Sequence, residues 1–274
     1  MYLSVDEVQD PRRWYSTNLV GIPAQLLAAV DFNDDPQRLR IATTRATHRG
    51  LFALLDEVRS LQEAAGIFSH YMRVAFGIGQ PQEDTKGRHW RSSYTKLLQG
   101  WGFDANSPQG AVLKGWVESR FGIVPTFHGG RLEEFPSEPW MRYLEEKLSS
   151  RFHNNCIQLQ LDVLYEYCQW CLENFPPFTN DGRFVTLYRG IERSEADFLR
   201  GSVAERWGVL RFNNVVSFSV DREQADPFGE WLVKTRIPFE RLLFFPGLLG
   251  DRVLTGEGEV LVIGGDFRVD VSYC

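Results

Sequence analysis

The spacing of apolar residues changes at Pro176-Pro177, and that change restricts what the chain can fold into. Before it, Leu51, Leu54, Leu55, Val58, Leu61, Ala65, Phe68 and Met72 recur at the interval of one helix face, which predicts a long helix over residues 44–78. Gly77, Gly79 and Pro81 end it, and the polar residues 82–88 read as an exposed loop. Ser107-Pro108 predicts a second helix through Arg120, with Ser107 as N-cap, Pro108 in the first turn and Gly122 at the end. Residues 137–175 are again helical in pattern, with room for two helices, until the two prolines stop them.

After Pro177 the runs are short, β-branched or aromatic, and bounded by turn residues. They predict strands at 184–188, 215–219, 231–233 and 260–263. Helices first and strands last argue for an α+β fold rather than alternating βαβ units. We read residues 1–274 as one domain, mainly helical over 1–180 and β-rich over 181–274.

The chain has 274 residues, 43% of them hydrophobic, enough to bury a sizeable core. A formal net charge of -6 argues against nucleic acid as a partner. Cys168 and Cys171 form a close pair without a second metal-spaced pair, so structural thiols and no metal are expected. The first ten residues are mixed and acidic, and no stretch approaches the roughly 18 apolar residues of a membrane span. A cytoplasmic setting fits these features. No Gly-x-Gly-x-x-Gly opens a helix after a strand, which argues against a nicotinamide-dependent oxidoreductase.

Three places in the β-rich third carry polar residues at strands. Tyr188-Arg189-Gly190 ends the first: an arginine there can present its planar fork to a phosphate, and the glycine lets a ligand approach the backbone. Ser217-Phe218-Ser219 puts two hydroxyls on one strand face and the ring on the other. Glu257-Gly258-Glu259 leads into the last apolar run. If the strand begins at Glu257, the two carboxylates share a face with Cα atoms about 6.5 to 7 Å apart. One could then stabilise positive charge on a sugar while the other holds a cationic nucleophile. Taken singly, these are also what solvated strand ends and an ordinary wet strand face look like.

In the order Arg, Ser-x-Ser, Glu-x-Glu, each attached to a strand, the chain resembles ADP-ribosyltransferases of the Arg–Ser–Glu class. More narrowly it resembles the dinitrogenase reductase ADP-ribosyltransferases of nitrogen-fixing bacteria. That likeness runs through nearly the whole chain, including Ser16-Thr17-Asn18-Leu19-Val20, Thr47-His48-Arg49-Gly50-Leu51-Phe52 and the segment from Leu113 to Gly122.

The resemblance implies an ADP-ribosyltransferase fold and NAD+ as substrate. It implies that Arg189 anchors an NAD+ phosphate, that the Gly190 backbone meets the nicotinamide carboxamide, and that Ser217 orients the catalytic Glu259 while Ser219 supports the site. Relatives carry Ser-Thr-Ser in the middle motif, where this chain has Phe218. Glu257 would select arginine as acceptor, since a protonated guanidinium has no good lone pair until a carboxylate holds it and accepts a proton. Phe228 is a candidate to stack on nicotinamide or else a core aromatic near a helix end, and Leu248 and Leu249, in the segment where the class places its target-recognition loop, are candidates to touch the target or else buried loop anchors. The target implied is dinitrogenase reductase, modified on an arginine, with regulation by a PII-type nitrogen-signalling protein. The competing reading is a non-enzymatic regulatory protein that keeps the fold and binds a nucleotide or partner without turnover.

Overall fold

The computed structural model describes residues 18–78, 93–149, 155–178, 182–193, 197–250 and 258–273. Helices α1 (Ala24–Ala28), α2 (Val30–Asp34), α3 (Thr44–Thr47), α4 (Arg49–Leu55) and α5 (Leu61–Phe76) come first. They are followed by α6 (Tyr94–Phe103), α7 (Pro108–Phe121), α8 (Glu138–Ser149) and α9 (Asn155–Asn174). The single helix expected over 44–78 is therefore three. Ser60 explains the last break: with an extended backbone it accepts from the Glu63 amide at 3.2 Å, and Glu63 Oε2 accepts from the Arg59 amide. This N-terminal cap starts a fresh helix inside a continuous apolar rhythm. The loop expected at 82–88 lies outside the described residues.

Helix α7 follows its sequence signals. Ser107 Oγ accepts from the Gly110 amide at 3.2 Å, and Gly122 closes the helix with φ 75°. Arg120, near its end, holds Asp162 of α9 through two guanidinium hydrogen bonds of 2.8 and 3.0 Å. Helix α9 is buried nearly all round. Its Gln169 amide donates to the carbonyls of Phe239 and Leu242, so the helix lies against the sheet. Cys168 and Cys171 sit in that buried stretch. Burial pushes both thiols up, Cys171 to about 12, which makes them packing groups rather than nucleophiles.

Among the described residues, the β-rich part forms one eight-stranded sheet in the order β2-β3-β8-β5-β1-β4-β7-β6. Its strands are β1 (Phe184–Ile191), β2 (Phe198–Ser202), β3 (Trp207–Arg211), β4 (Val215–Ser219), β5 (Trp231–Pro238), β6 (Leu242–Phe244), β7 (Glu259–Ile263) and β8 (Asp266–Tyr273). Helix α10 (Arg222–Ala225) and a 3-10 turn over Asp226–Phe228 separate β4 from β5. The architecture is α+β, as expected. Strands β1, β4, β5 and β7 answer the four predicted runs, while β2, β3 and β8 escape prediction because glycine or charged residues interrupt their apolar character, and β6, with three residues, is too short to show a period.

Arg241, which follows β5, is fully buried. Its guanidinium donates to Asn33, to the carbonyls of Ile263 and Gly264, and to the Leu27 carbonyl, with the rings of Phe32 and Phe267 about it. The N-terminal helices are thereby tied to the ends of β7 and β8.

Candidate active site

Strand β4 is the axis of the site. It pairs with β7 along its whole length, from Val215 opposite Ile263 to Ser219 opposite Glu259. With β1 it shares the single rung Tyr188–Ser219. Beyond that rung a cavity of about 370 Å³ opens, lined by Arg189 and Ile191 of β1, by Val215, Val216 and Ser217 of β4, and by residues of the helical part. The volume falls in the range of small-molecule sites, roughly 300–1,000 Å³. Arg189 crosses the opening: its Nη1 donates to the Ser217 carbonyl at 2.9 Å, a carbonyl that continued pairing with β1 would have been free to use.

Register places three motif residues on one face. Ser219 lies directly opposite Glu259, and Ser217 lies two residues along, on the diagonal. Ser217 Oγ donates to Glu259 Oε1 at 2.5 Å, a short charge-assisted bond. Ser219 is buried and its Oγ accepts from the Asp221 amide at 3.0 Å, which shapes the exit of β4 into α10. Phe218 points to the opposite face, where its ring meets those of Phe212 and Phe267 at 5.4 and 6.3 Å. The middle place of the motif thus belongs to the core, and a bulky ring there leaves the two serines undisturbed.

Four expectations need revision or refinement. Strand β7 begins at Glu259, not Glu257, and Gly258 adopts φ 59°, so strand alternation does not carry back through the acidic pair. Glu257 itself lies outside the described residues. Leu248 and Leu249, expected to touch a target, are 0% and 8% exposed and belong to the main hydrophobic cluster; the Tyr167 hydroxyl donates to the Leu248 carbonyl. Their apolar side chains are loop anchors. Gly190 does lack a side chain for a reason of close approach, but the neighbour is the protein. A Cβ there would lie 2.5 Å from the Ala225 carbonyl oxygen and 2.9 Å from the Phe228 carbonyl carbon. Phe228, carried over Gly190 by that turn, is 55% exposed and is not a core aromatic.

The helical part supplies a residue that sequence reasoning missed. Trp101, in the last turn of α6, lines the cavity, and its indole Nε1 donates to Ser217 Oγ at 2.9 Å. Nothing in the local sequence distinguishes it from other buried tryptophans. Lys114 of α7 also lines the cavity, its Nζ 5.9 Å from the Trp101 ring centroid. The ammonium is buried, donating to the Phe127 carbonyl at 2.9 Å and to Asn106 Oδ1 at 3.3 Å, and sits 3.2 Å from His128 Nδ1. Burial lowers its pKa to about 7, opposed by Asp104 and Glu146. Burial also lowers His128, against the pull of its hydrogen bond to Glu146. Asn214, one residue before β4, donates to the carbonyls of Lys114 and Ile123 and so locks α7 to the strand that bears Ser217.

Among the described residues of the cavity wall, Arg131, Arg189, Arg211 and Lys114 stand against Glu133 and Asp197, an excess of basic over acidic side chains that suits an anionic ligand. Arg211 is paired with Asp266 at 2.7 and 2.9 Å. Among the described residues no group of three or more His, Cys, Asp or Glu side chains is placed to hold a metal ion, and no helix is long and apolar enough to cross a membrane.

No solved structure matches the chain. A curated relative from Rhodospirillum rubrum, NAD(+)--dinitrogen-reductase ADP-D-ribosyltransferase, is 45% identical over 265 residues, covering 94% of this chain and 95% of the relative. The family model for dinitrogenase reductase ADP-ribosyltransferase matches residues 17–271, a span that includes the helices bearing Trp101 and Lys114 as well as the strands bearing Arg189, Ser217 and Glu259. On both grounds, the chain belongs to the dinitrogenase reductase ADP-ribosyltransferase family.

Proposed function

We propose that this protein transfers ADP-ribose from NAD+ to an arginine of dinitrogenase reductase, and that its sheet is an ADP-ribosyltransferase core forming one domain with the helices. The observation that carries the reading is the linked trio at the split between β1 and β4: Arg189 on the Ser217 carbonyl, and Ser217 Oγ on Glu259. Family membership supports the same activity.

In this reading Arg189 and the other basic side chains of the cavity attract the pyrophosphate of NAD+. The exposed Phe228 ring beside Gly190 offers a stacking surface for nicotinamide. The bond between nicotinamide and ribose C1′ breaks, both electrons leave with nicotinamide, and the ribose becomes oxocarbenium-like. Glu259, held by Ser217, supplies the negative charge that stabilises this state. A guanidinium nitrogen of the target then bonds to C1′ and gives up a proton, which Glu257 accepts. Ser219 supports Glu259 from the facing position on β4. The same reading places the protein in the cytoplasm, under the control of a PII-type nitrogen-signalling protein.

The test is incubation of the chain with labelled NAD+ and dinitrogenase reductase. Label on the reductase is expected, lost in Glu259→Gln together with NAD+ hydrolysis. An intact chain that leaves the reductase unlabelled overturns the assignment.

A further inference from the structure

Ser217 Oγ has one proton to give and lone pairs to receive one, and the protein supplies a partner for each. An indole N–H is a donor and never an acceptor. Trp101 Nε1, 2.9 Å from Ser217 Oγ, therefore takes an oxygen lone pair and leaves the hydroxyl proton free to point elsewhere. Glu259 Oε1, 2.5 Å away on the other side, is an acceptor when ionised. The hydrogen bonds run in one direction, from Trp101 through Ser217 to Glu259. Each bond in such a chain polarises the next.

We propose that Trp101 is a positioning residue of the transfer reaction, fixing the Ser217 hydroxyl so that its proton is directed at Glu259 and the carboxylate is held in one orientation. This rests on the reading of Glu259 as the catalytic carboxylate. The indole is well placed for the task. It is 4% exposed, so water does not compete for its N–H, and it belongs to α6, a helix remote in sequence from the catalytic strands. Without the indole donor, the Ser217 hydroxyl can rotate, and Glu259 loses both its orientation and part of the hydrogen bonding that favours its charged form. The helical part is in this way a component of the catalytic centre.

The experiment replaces Trp101 by Phe and, separately, by 3-benzothienylalanine, the sulfur isostere of tryptophan that keeps its shape and lacks the N–H. Each is made in the native chain and in a Ser217→Ala background, with Glu259→Gln as a control, and kcat, KM for NAD+ and the pH profile are measured with dinitrogenase reductase as acceptor. In the native background we expect kcat to fall about tenfold for both replacements, with KM changed by less than about twofold and the acidic limb of kcat moved to higher pH. In the Ser217→Ala background the same replacements should change kcat by less than about twofold, because Trp101 acts through that hydroxyl. A benzothienyl variant with native kcat and native acidic limb, beside an inactive Glu259→Gln, overturns the proposal and leaves the assignment of Glu259 standing. Equal losses in both backgrounds overturn it as well, since packing alone would produce them. An active Glu259→Gln overturns the underlying reading instead.

Discussion

Arg189 Nη1 reaches the Ser217 carbonyl at 2.9 Å at the place where β1 and β4 stop pairing. One side chain thereby closes the gap between two strands at the site and lines the cavity. Lysine offers a point charge and no planar fork. Arg189→Lys is expected to raise KM for NAD+ about tenfold or more while leaving the unfolding midpoint within a few degrees. Saturation curves for NAD+ alongside thermal unfolding check this, and an unchanged KM would remove Arg189 from the binding site.

Gly190 and the turn over Asp226–Phe228 are in backbone contact. A methyl group at 190 would sit 2.5 Å from the Ala225 carbonyl oxygen, which is backbone and cannot swing aside. Gly190→Ala should cost about 1–3 kcal/mol in denaturant unfolding and weaken NAD+ binding by displacing Phe228. Native stability together with native affinity would show that the turn yields without consequence.

The buried Lys114 makes stability depend on pH. Its folded-state pKa, about 7, lies below the value of 10.5 in the unfolded chain. Below pH 7 both states hold the proton and the buried charge is least favourable. Above 7 the folded state sheds its proton first, so stability rises with pH until the unfolded pKa is reached. His128, also lowered by burial, faces the ammonium, with Asp104, Glu146 and Arg142 acting on it from further off. Between about pH 7.5 and 9 the histidine is neutral. There the unfolding free energy of the native chain should gain on that of Lys114→Met by about 1 kcal/mol per pH unit. Parallel urea titration curves for the two proteins over that window would refute the assignment.

Leu248 is wholly buried, and its backbone carbonyl receives the Tyr167 hydroxyl. Leu248→Ala should lower stability by about 2–5 kcal/mol, as expected for a truncated core leucine. At temperatures where the variant stays folded, KM for the acceptor protein should match that of the native chain. A selective rise in that KM with native stability would restore Leu248 to the target-contacting surface.

Much of the fold is legible in local patterns, because caps and periodicities act within a few residues. Ser107-Pro108 and Gly122 bound α7, and β4 occupies the predicted residues 215–219. The apolar rhythm over 44–78 misleads at Ser60 because a side-chain cap overrides the continuity of the stripe. Strand β8 is not found among continuous apolar runs because exposed Arg268 and Asp270 alternate with buried Phe267, Val269 and Val271, leaving one apolar face.

The division at the site itself follows from the range of the forces involved. Sequence alone determined the residue types and order, Arg189, Ser217, Ser219 and Glu259, and the strand that carries Ser217 and Ser219 on one face, because alternation is a property of one extended segment. Only the tertiary structure decided that Ser217 lies diagonal to Glu259, that Phe218 turns into the core, that Leu248 is hidden, and that Trp101 reaches Ser217 across 116 residues of chain. Those outcomes depend on strand register and on the docking of a helix against a sheet. Both are settled by the mutual burial of surfaces far apart in sequence, which no local pattern encodes.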